Sequence, residues 1–136
     1  MHLLQKYQKM YQNYYKINNT GVVTTGPVVK DNSVNSLVVK TLNNTPNSVS
    51  ITITVYDLTQ CPKTPFQTTN LVVPSGCAVD TIFDRPPFNY EVRIDGVIDG
   101  VNVWSGARSN NTNAPIKSSN FVPTNTFRHS DFARGV

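Results

Sequence analysis

The clearest secondary-structure signal in the chain is Ser48-Val49-Ser50-Ile51-Thr52-Ile53-Thr54-Val55-Tyr56. Aliphatic side chains occupy every second position, and hydroxyl-bearing side chains fill the positions between them. Because successive side chains of a strand point to opposite faces of a sheet, this stretch has one apolar face and one polar face. It predicts a strand whose aliphatic face lies in a core and whose polar face meets solvent or a partner.

Similar short segments lie on both sides of this strand. Further strands are predicted over residues 37–42, 67–73, 77–83, 90–95 and 97–104, with a rigid loop over 61–65. Turn signals such as Pro74-Ser75-Gly76 recur at the spacing of about 8–12 residues that is typical of sandwiches. Asp95-Gly96 is a hairpin signal, so the strands on its two sides are expected to pair with each other. The fold class is therefore predicted as all-β, a β-sandwich or jelly roll of about seven or eight strands, and the choice between those two topologies stays open.

Composition favours the same fold class. The chain has 136 residues, a length at which a single domain is usual. Charged residues make up 15% of it, against roughly a quarter in ordinary globular domains, and Glu91 is the single glutamate. Such a chain is poor in the residues that favour surface helices. We divide it into an N-terminal connector arm (1–20), a β-sandwich domain (21–109) and a polar C-terminal tail (110–136).

Charge is distributed unevenly along the chain. Residues 1–30 carry four lysines and no acid, residues 31–109 carry five cations and seven acids, and residues 110–136 carry three cations and one acid. A mildly acidic core between two cationic, aromatic segments favours docking between copies of the chain. We therefore predict a homo-oligomer, in the form of a helical fibre of identical subunits.

The connector arm has an aromatic repeat. Leu4, Tyr7, Tyr11 and Tyr14 follow one another at steps of three, four and three, which is helical spacing. Three interpretations stay open: a helix packed on its own domain, a helical or extended arm inserted between subunits, and a tail without fixed structure. Tyrosine favours the intersubunit arm, because it supplies a large contact area and a polar tip. The predicted subunit-interface residues are Leu3, Leu4, Tyr7, Met10, Tyr11, Tyr14 and Tyr15.

The sequence contains no catalytic or metal-binding pattern. His2 and His129 lie at opposite ends of the chain, and neither belongs to a recognisable nucleophile or metal-ligand motif. The run from Asp95 to Gly100 is only superficially like a calcium loop, since it lacks the alternating oxygen ligands and the closing glutamate. We predict that the protein is not an enzyme and has no catalytic residues, metal site, cofactor or small-molecule substrate.

Composition also bears on three further properties: nucleic-acid binding, membrane insertion and cellular location. Lysine with tyrosine, and arginine with phenylalanine, can stack on bases and contact phosphates, but glutamine and asparagine dilute this charge, so no nucleic acid is predicted. No segment approaches the roughly 20 apolar residues that span a bilayer, so no membrane insertion is predicted. Residues 1–7 lack the apolar run of a secretory signal peptide. The chain is therefore expected to be cytosolic, trimmed, or released by lysis of the cell that makes it.

Cys61 and Cys77 do not form a disulfide framework by count or spacing. They are expected near the same end of adjacent strands. Three states stay open for them: two reduced thiols, an intrachain disulfide, which would contribute roughly 3 kcal/mol by closing the loop between them, and an intersubunit disulfide.

Three segments carry a resemblance to a known family: Leu37-Val38-Val39-Lys40-Thr41-Leu42-Asn43-Asn44, Ser48-Val49-Ser50-Ile51-Thr52-Ile53-Thr54-Val55 and Leu71-Val72-Val73-Pro74-Ser75-Gly76. With them, the layout of residues 1–106 resembles the subunits of endospore appendages, the Ena-type fibres. The resemblance implies a jelly-roll domain whose N-terminal connector docks on preceding subunits, in an extracellular fibre on the spore surface. Staple-like fibres of that family carry cysteines in the connector, whereas residues 1–19 have none. Any cross-link would therefore involve Cys61 or Cys77.

The leading functional hypothesis is a structural subunit that self-assembles by N-terminal arm exchange into an extracellular or spore-surface filament. A second hypothesis is a surface-displayed binding module that presents Trp104, Tyr56 and Phe88 to a carbohydrate or a cell-surface ligand. A third is a viral or phage jelly-roll shell protein, which would share the arms but form closed particles.

Overall fold

The structure, a computed structural model, describes residues 21–30, 32–109, 115–121 and 133–134. Within these ranges the regular secondary structure consists entirely of strands. They are β1 (Val23–Thr24), β2 (Val28–Val29), β3 (Val34–Asn43), β4 (Val49–Asp57), β5 (Thr64–Val73), β6 (Ala78–Asp84), β7 (Asn89–Asp95), β8 (Val101–Ser109), β9 (Pro115–Phe121) and β10 (Ala133–Arg134).

The predicted all-β class and two-sheet sandwich are confirmed. Seven of the strands are seven residues or longer, and the other three have two residues each. The alternating stretch is β4, and its four aliphatic side chains are buried as predicted. Thr54 on its polar face is also buried, where it lies between Thr68 of β5 and Arg93 of β7.

The strands form two antiparallel sheets. The first sheet has the order β10-β1-β7-β4-β5, with β2 beside β1 on the same edge of β7. The second sheet has the order β6-β3-β8-β9. Among the described strands, the consecutive pairs β1–β2, β4–β5 and β8–β9 each lie within one sheet. Every other pair of consecutive strands, from β2–β3 to β9–β10, is divided between the two sheets.

The predicted hairpin at Asp95-Gly96 is wrong. β7 belongs to the first sheet and β8 to the second, so this turn leads the chain across the sandwich. β7 already pairs with β4 on one edge and with β1 and β2 on the other, which leaves no edge for β8. The dipeptide correctly marked the end of the strand, since β7 ends at Asp95 and Gly96 has a φ of 93°. A turn signal does not specify which strand comes next to which.

Two predicted boundaries also differ from the structure. β5 begins at Thr64, inside the predicted loop 61–65, and Pro65 lies within the strand opposite Tyr56. Proline is tolerated there because β5 is an edge strand, where one row of amides needs no partner. At the other end of the chain, β9 pairs with β8 and β10 pairs with β1. This pairing carries the sandwich past residue 109, where the domain was predicted to end.

The hydrophobic core lies between the inner faces of the two sheets. β3, β6 and β8 contribute from the second sheet, and β4 and β7 contribute the largest number of side chains from the first. β7 buries every second residue, and β4 does the same from Val49 to Val55 apart from Thr54, which is what one-sided burial of a pleated strand requires. The buried cluster is Val23, Val28, Leu37, Val39, Val49, Ile51, Ile53, Val55, Val73, Phe83, Tyr90, Val92, Ile94, Val101 and Val103.

One buried amide side chain joins three parts of the sandwich. Asn43, at the end of β3, donates from Nδ2 to the carbonyl oxygens of Asn47 and Val73 at 2.8 and 2.9 Å. Its Oδ1 accepts from the backbone N–H of Thr45 at 2.9 Å and from the Thr45 hydroxyl at 2.6 Å. The side chain therefore ties the β3–β4 turn, which passes between sheets, to the last residue of β5.

Replacing Asn43 with alanine should destabilise the fold by about 2–4 kcal/mol, because it leaves buried backbone groups without partners. The adjacent Asn44→Ala variant is a matched control, since the Asn44 side chain is exposed and its backbone N–H bond to Gly100 would remain. That control should stay within about 0.5 kcal/mol of the parent. Equilibrium urea unfolding measures both, and equal losses would contradict the role given to the Asn43 side chain.

Gly96→Ala should also be strongly destabilising. A Cβ at this position would lie 2.5 Å from the carbonyl oxygen of Ser50 and would require a φ of 93°. Gly76 has a φ of 72° but nothing within 4 Å of the Cβ position, so Gly76→Ala carries the conformational cost alone, about 1 kcal/mol. Thermal unfolding should show the larger drop for Gly96→Ala, and the reverse order would refute the close approach as its cause.

Candidate assembly surface

Both sheets end on the same side of the sandwich, at β5 and β6. Within the described residues, β5 pairs with β4 alone and β6 pairs with β3 alone. These two edge strands contact each other across the gap between the sheets. A strand edge with free N–H and C=O groups is a template for pairing with another chain. We call the two strands together the open side.

The β5 edge is long and uncharged. Its ten residues include no acid and no base. Seven of the first nine are exposed, and the outward side chains include Val72, which is 60% exposed, and Phe66. Edge strands usually carry charges that discourage pairing, so β5 lacks this form of protection.

The β6 edge has a different character. Phe83 points into the core and is fully buried, whereas Asp80, Ile82 and Asp84 alternate with the inward positions and point outward. Ile82 is 65% exposed. The sequence carried a signal for this surface, since the adjacent apolar pair Ile82-Phe83 must place one side chain on each face of a strand.

The connector arm is attached on the opposite side of the sandwich. β1 pairs with β7, and the backbone N–H of Val97 donates to the carbonyl oxygen of Gly21 at 2.7 Å. Two strands, β7 and β4, separate β1 from β5, so the attachment point lies about 14 Å from the open side at ordinary strand spacing. The seven predicted interface residues of the arm precede residue 21 and lie outside the described residues.

The aromatic residues proposed as a ligand platform lie on different surfaces. Tyr56 is on the outer face of the first sheet, Trp104 is on the outer face of the second, and Phe88 is 52% exposed in the β6–β7 connection. These side chains are therefore not brought together in one subunit. The ring of Trp104 also has cationic neighbours, because Lys40 Nζ and Arg108 Cζ lie 5.7 and 5.4 Å from its centroid.

An ionic cluster covers part of the outer face of the first sheet. Lys63 Nζ lies 2.6 Å from Glu91 Oε1 and 4.4 Å from the ring centroid of Tyr56, and the Thr24 hydroxyl also donates to Glu91. Burial tends to raise the pKa of Glu91, but the hydrogen bonds from Lys63 and Thr24 and the charges of Lys63 and Arg93 outweigh it, so that pKa is lowered. The groups in this cluster partner one another, which is the arrangement of a structural ion pair.

Cys61 and Cys77 are exposed free thiols. The prediction that they lie near the same end of adjacent strands is wrong. Cys61 precedes β5 and Cys77 follows it, and a strand of ten residues spans about 33 Å. An intrachain disulfide needs Cα atoms within about 7 Å, so it does not fit this fold, and the other two states remain open.

The described residues contain no group of three or more His, Cys, Asp or Glu side chains placed to hold a metal ion. Among the same residues, no helix is long and apolar enough to cross a bilayer. The surface that stands out in this part of the chain is therefore the open side, with its unpaired strand edges and exposed apolar side chains.

Comparison with known proteins does not assign the chain to a family. No protein-family model matches it, and no curated protein does so either.

The core contains one tyrosine, Tyr90, whose hydroxyl lies among apolar side chains. Tyr90 is fully buried, and within the described residues its hydroxyl forms no hydrogen bond. Burial raises the pKa of Tyr90 to about 12. Because the unfolded chain loses this proton at a pH of about 10, ionisation of the unfolded state should remove stability as the pH rises from about 10 to 12.

Tyr90→Phe should leave the stability at pH 7 unchanged or raise it by up to about 1 kcal/mol, since it removes an unpaired buried polar group. Compared with the parent, the variant should lose less stability between about pH 10 and 12. Urea unfolding at several pH values measures both effects. Tyr56→Phe is the control, because the Tyr56 side chain is only half-buried. A loss of 2 kcal/mol or more at pH 7 for Tyr90→Phe, judged against the usual cost of about 1 kcal/mol per hydrogen bond, would mean that the hydroxyl has a partner.

Proposed function

We propose that this protein is a structural subunit that self-assembles by N-terminal arm exchange into an extracellular or spore-surface filament. The observation that carries the proposal is the position of the open side relative to the arm. β5 and β6 end the two sheets on one side, and the arm joins the domain through β1 on the other. A donor segment and an acceptor surface on opposite sides of one subunit are what a head-to-tail polymer needs.

Strand addition supplies the mechanism. The arm of one subunit lies along the open side of the next and forms main-chain hydrogen bonds with an edge strand, while its alternate side chains contact the acceptor surface. The contact joins two different surfaces, so each added subunit presents a new open side. When the rotation between subunits does not close a ring, repetition of this contact produces a helical filament.

The chemistry of the arm suits this role. Residues 1–20 contain four tyrosines, three lysines and no acid. Tyrosine buries a large area with few rotatable bonds and is enriched at protein interfaces. The lysines face a domain that carries more acids than bases, which steers the encounter and selects the register more than it adds affinity.

Deleting residues 1–16 should leave a folded monomer that forms no filaments. β1 begins at Val23, so the deletion removes none of the described strands. Negative-stain microscopy and analytical ultracentrifugation of the full chain and the deletion measure the outcome. Filaments formed by the deletion variant would rule out arm exchange.

A pair of substitutions in the full chain sharpens this test. Tyr7→Ser with Tyr11→Ser should reduce assembly strongly, whereas Gln8→Ser with Gln12→Ser has the same spacing and should have little effect. Closed particles in place of filaments would favour the shell-protein hypothesis. Specific binding of the dispersed deletion variant to a glycan array would favour the carbohydrate-binding hypothesis.

A further inference from the structure

We propose that β6 is the edge that accepts the arm, through an acidic and apolar stripe formed by Asp80, Ile82 and Asp84. This inference rests on the proposed function, and it names the acceptor and the occupant. The occupant is the arm, residues 1–20, of a second copy of the chain.

The stripe is a regular feature of the outer face of the second sheet. In the β3–β6 register, Asp80 lies opposite Lys40, Ile82 opposite Val38, and Asp84 opposite Ser36. On the other edge of β6 no described strand pairs with it. A strand added there would place every second side chain beside this stripe, within the distance at which cross-strand pairs interact.

The two carboxylates are available to a new partner. Asp80 forms an ion pair with Lys40 at 3.7 Å, but both side chains are about half exposed, at 52% and 48%, and such pairs contribute little. Asp84 is exposed, and no cation within the described residues pairs with it. Ile82, which lies between them along the strand, has a large apolar side chain that is exposed to solvent.

The arm carries the complementary pattern. Tyr7 and Lys9, Lys9 and Tyr11, and Tyr14 and Lys16 are each two residues apart, so in an extended strand both members of a pair lie on one face. Each pair matches one carboxylate and Ile82 on β6. An aromatic side chain can then cover Ile82 while the lysine pairs with the neighbouring aspartate.

The same acids explain why the acceptor would select this arm. Two copies of β6 placed edge to edge bring like charges together, which is destabilising and is a common protection of edge strands. A strand that carries lysines is instead attracted by the aspartates of β6. β5 offers no comparable selection, because none of its residues is charged.

The test uses two full-length variants with reversed charges. One carries Asp80→Lys and Asp84→Lys in the acceptor, and the other carries Lys9→Glu and Lys16→Glu in the arm. Each variant alone should need at least about a tenfold higher concentration to assemble than the parent, equivalent to about 1.4 kcal/mol. An equimolar mixture should assemble within about threefold of the parent, because both contacts between the two variants are then complementary. Light scattering, sedimentation and negative-stain microscopy measure assembly, and urea unfolding checks that both variants are folded.

A matched variant of β5 separates the two edges. Phe66→Lys with Val72→Lys also adds two lysines to an open edge strand, at exposed positions. Assembly close to that of the parent supports β6 as the acceptor. Loss of assembly in this variant, with normal assembly of the β6 variant, would overturn the inference and point to β5.

The remaining outcomes distinguish this inference from the proposed function. If the parent forms filaments and the mixture of charge-reversed variants does not recover assembly, the β6 stripe is wrong and arm exchange can still hold. If the parent stays monomeric at every concentration tested, the proposed function and the β6 acceptor are both wrong.

Discussion

The contact between the inner faces of the two sheets is the interaction on which the whole domain depends. Burial of apolar surface is the dominant favourable term in folding, and here it is supplied mainly by side chains of β3, β4, β7 and β8, with Phe83 of β6. Side chains such as Leu37, Ile53 and Phe83 are fully buried between the sheets. A pleated strand that commits one face to this contact must present the other face outward, and the polar outer positions of β4 follow from that.

Face-to-face packing of the two sheets does not provide pairing partners for the edge strands of either sheet. On one side, β1, β2 and β10 lie along the first sheet and β9 lies along the second. On the other side, the described strands stop at β5 and β6. The fold therefore has one side where the terminal segments join it and one side where no described strand pairs with the outer edge of β5 or β6. A polymer built from such subunits needs no further domain, because the asymmetry between the two sides already gives the subunit a direction.

Electrostatics distinguishes charges that belong to the fold from charges available to a partner. Lys63, Glu91 and Thr24 are joined by hydrogen bonds, and the lowered pKa of Glu91 reflects those contacts. The carboxylates of β6 have no such network among the described residues. A group already engaged in hydrogen bonds gains little from a ligand, whereas an exposed, weakly paired carboxylate beside Ile82 gains both a charge partner and apolar cover. The carboxylates of β6 are therefore better placed to bind a partner than the charges of the larger ionic cluster.

The sequence by itself determined the all-β class and the core positions of β4 and β7, because period-two alternation is a local property that follows from strand geometry. It also located the end of β7 at Asp95-Gly96, since a positive φ favours glycine. Only the tertiary structure decided that the chain crosses between sheets after this point, that Cys61 and Cys77 lie at opposite ends of β5, and that β5 and β6 share the open side. The physical reason is that strand order depends on which edges are already occupied, and the occupants of an edge are distant in sequence. For the same reason, the adjacent apolar residues Ile82 and Phe83 predict one side chain on each face of a strand, but they do not predict that this strand is an edge. That β6 is an edge follows from the sheet order, in which no described strand lies beyond it.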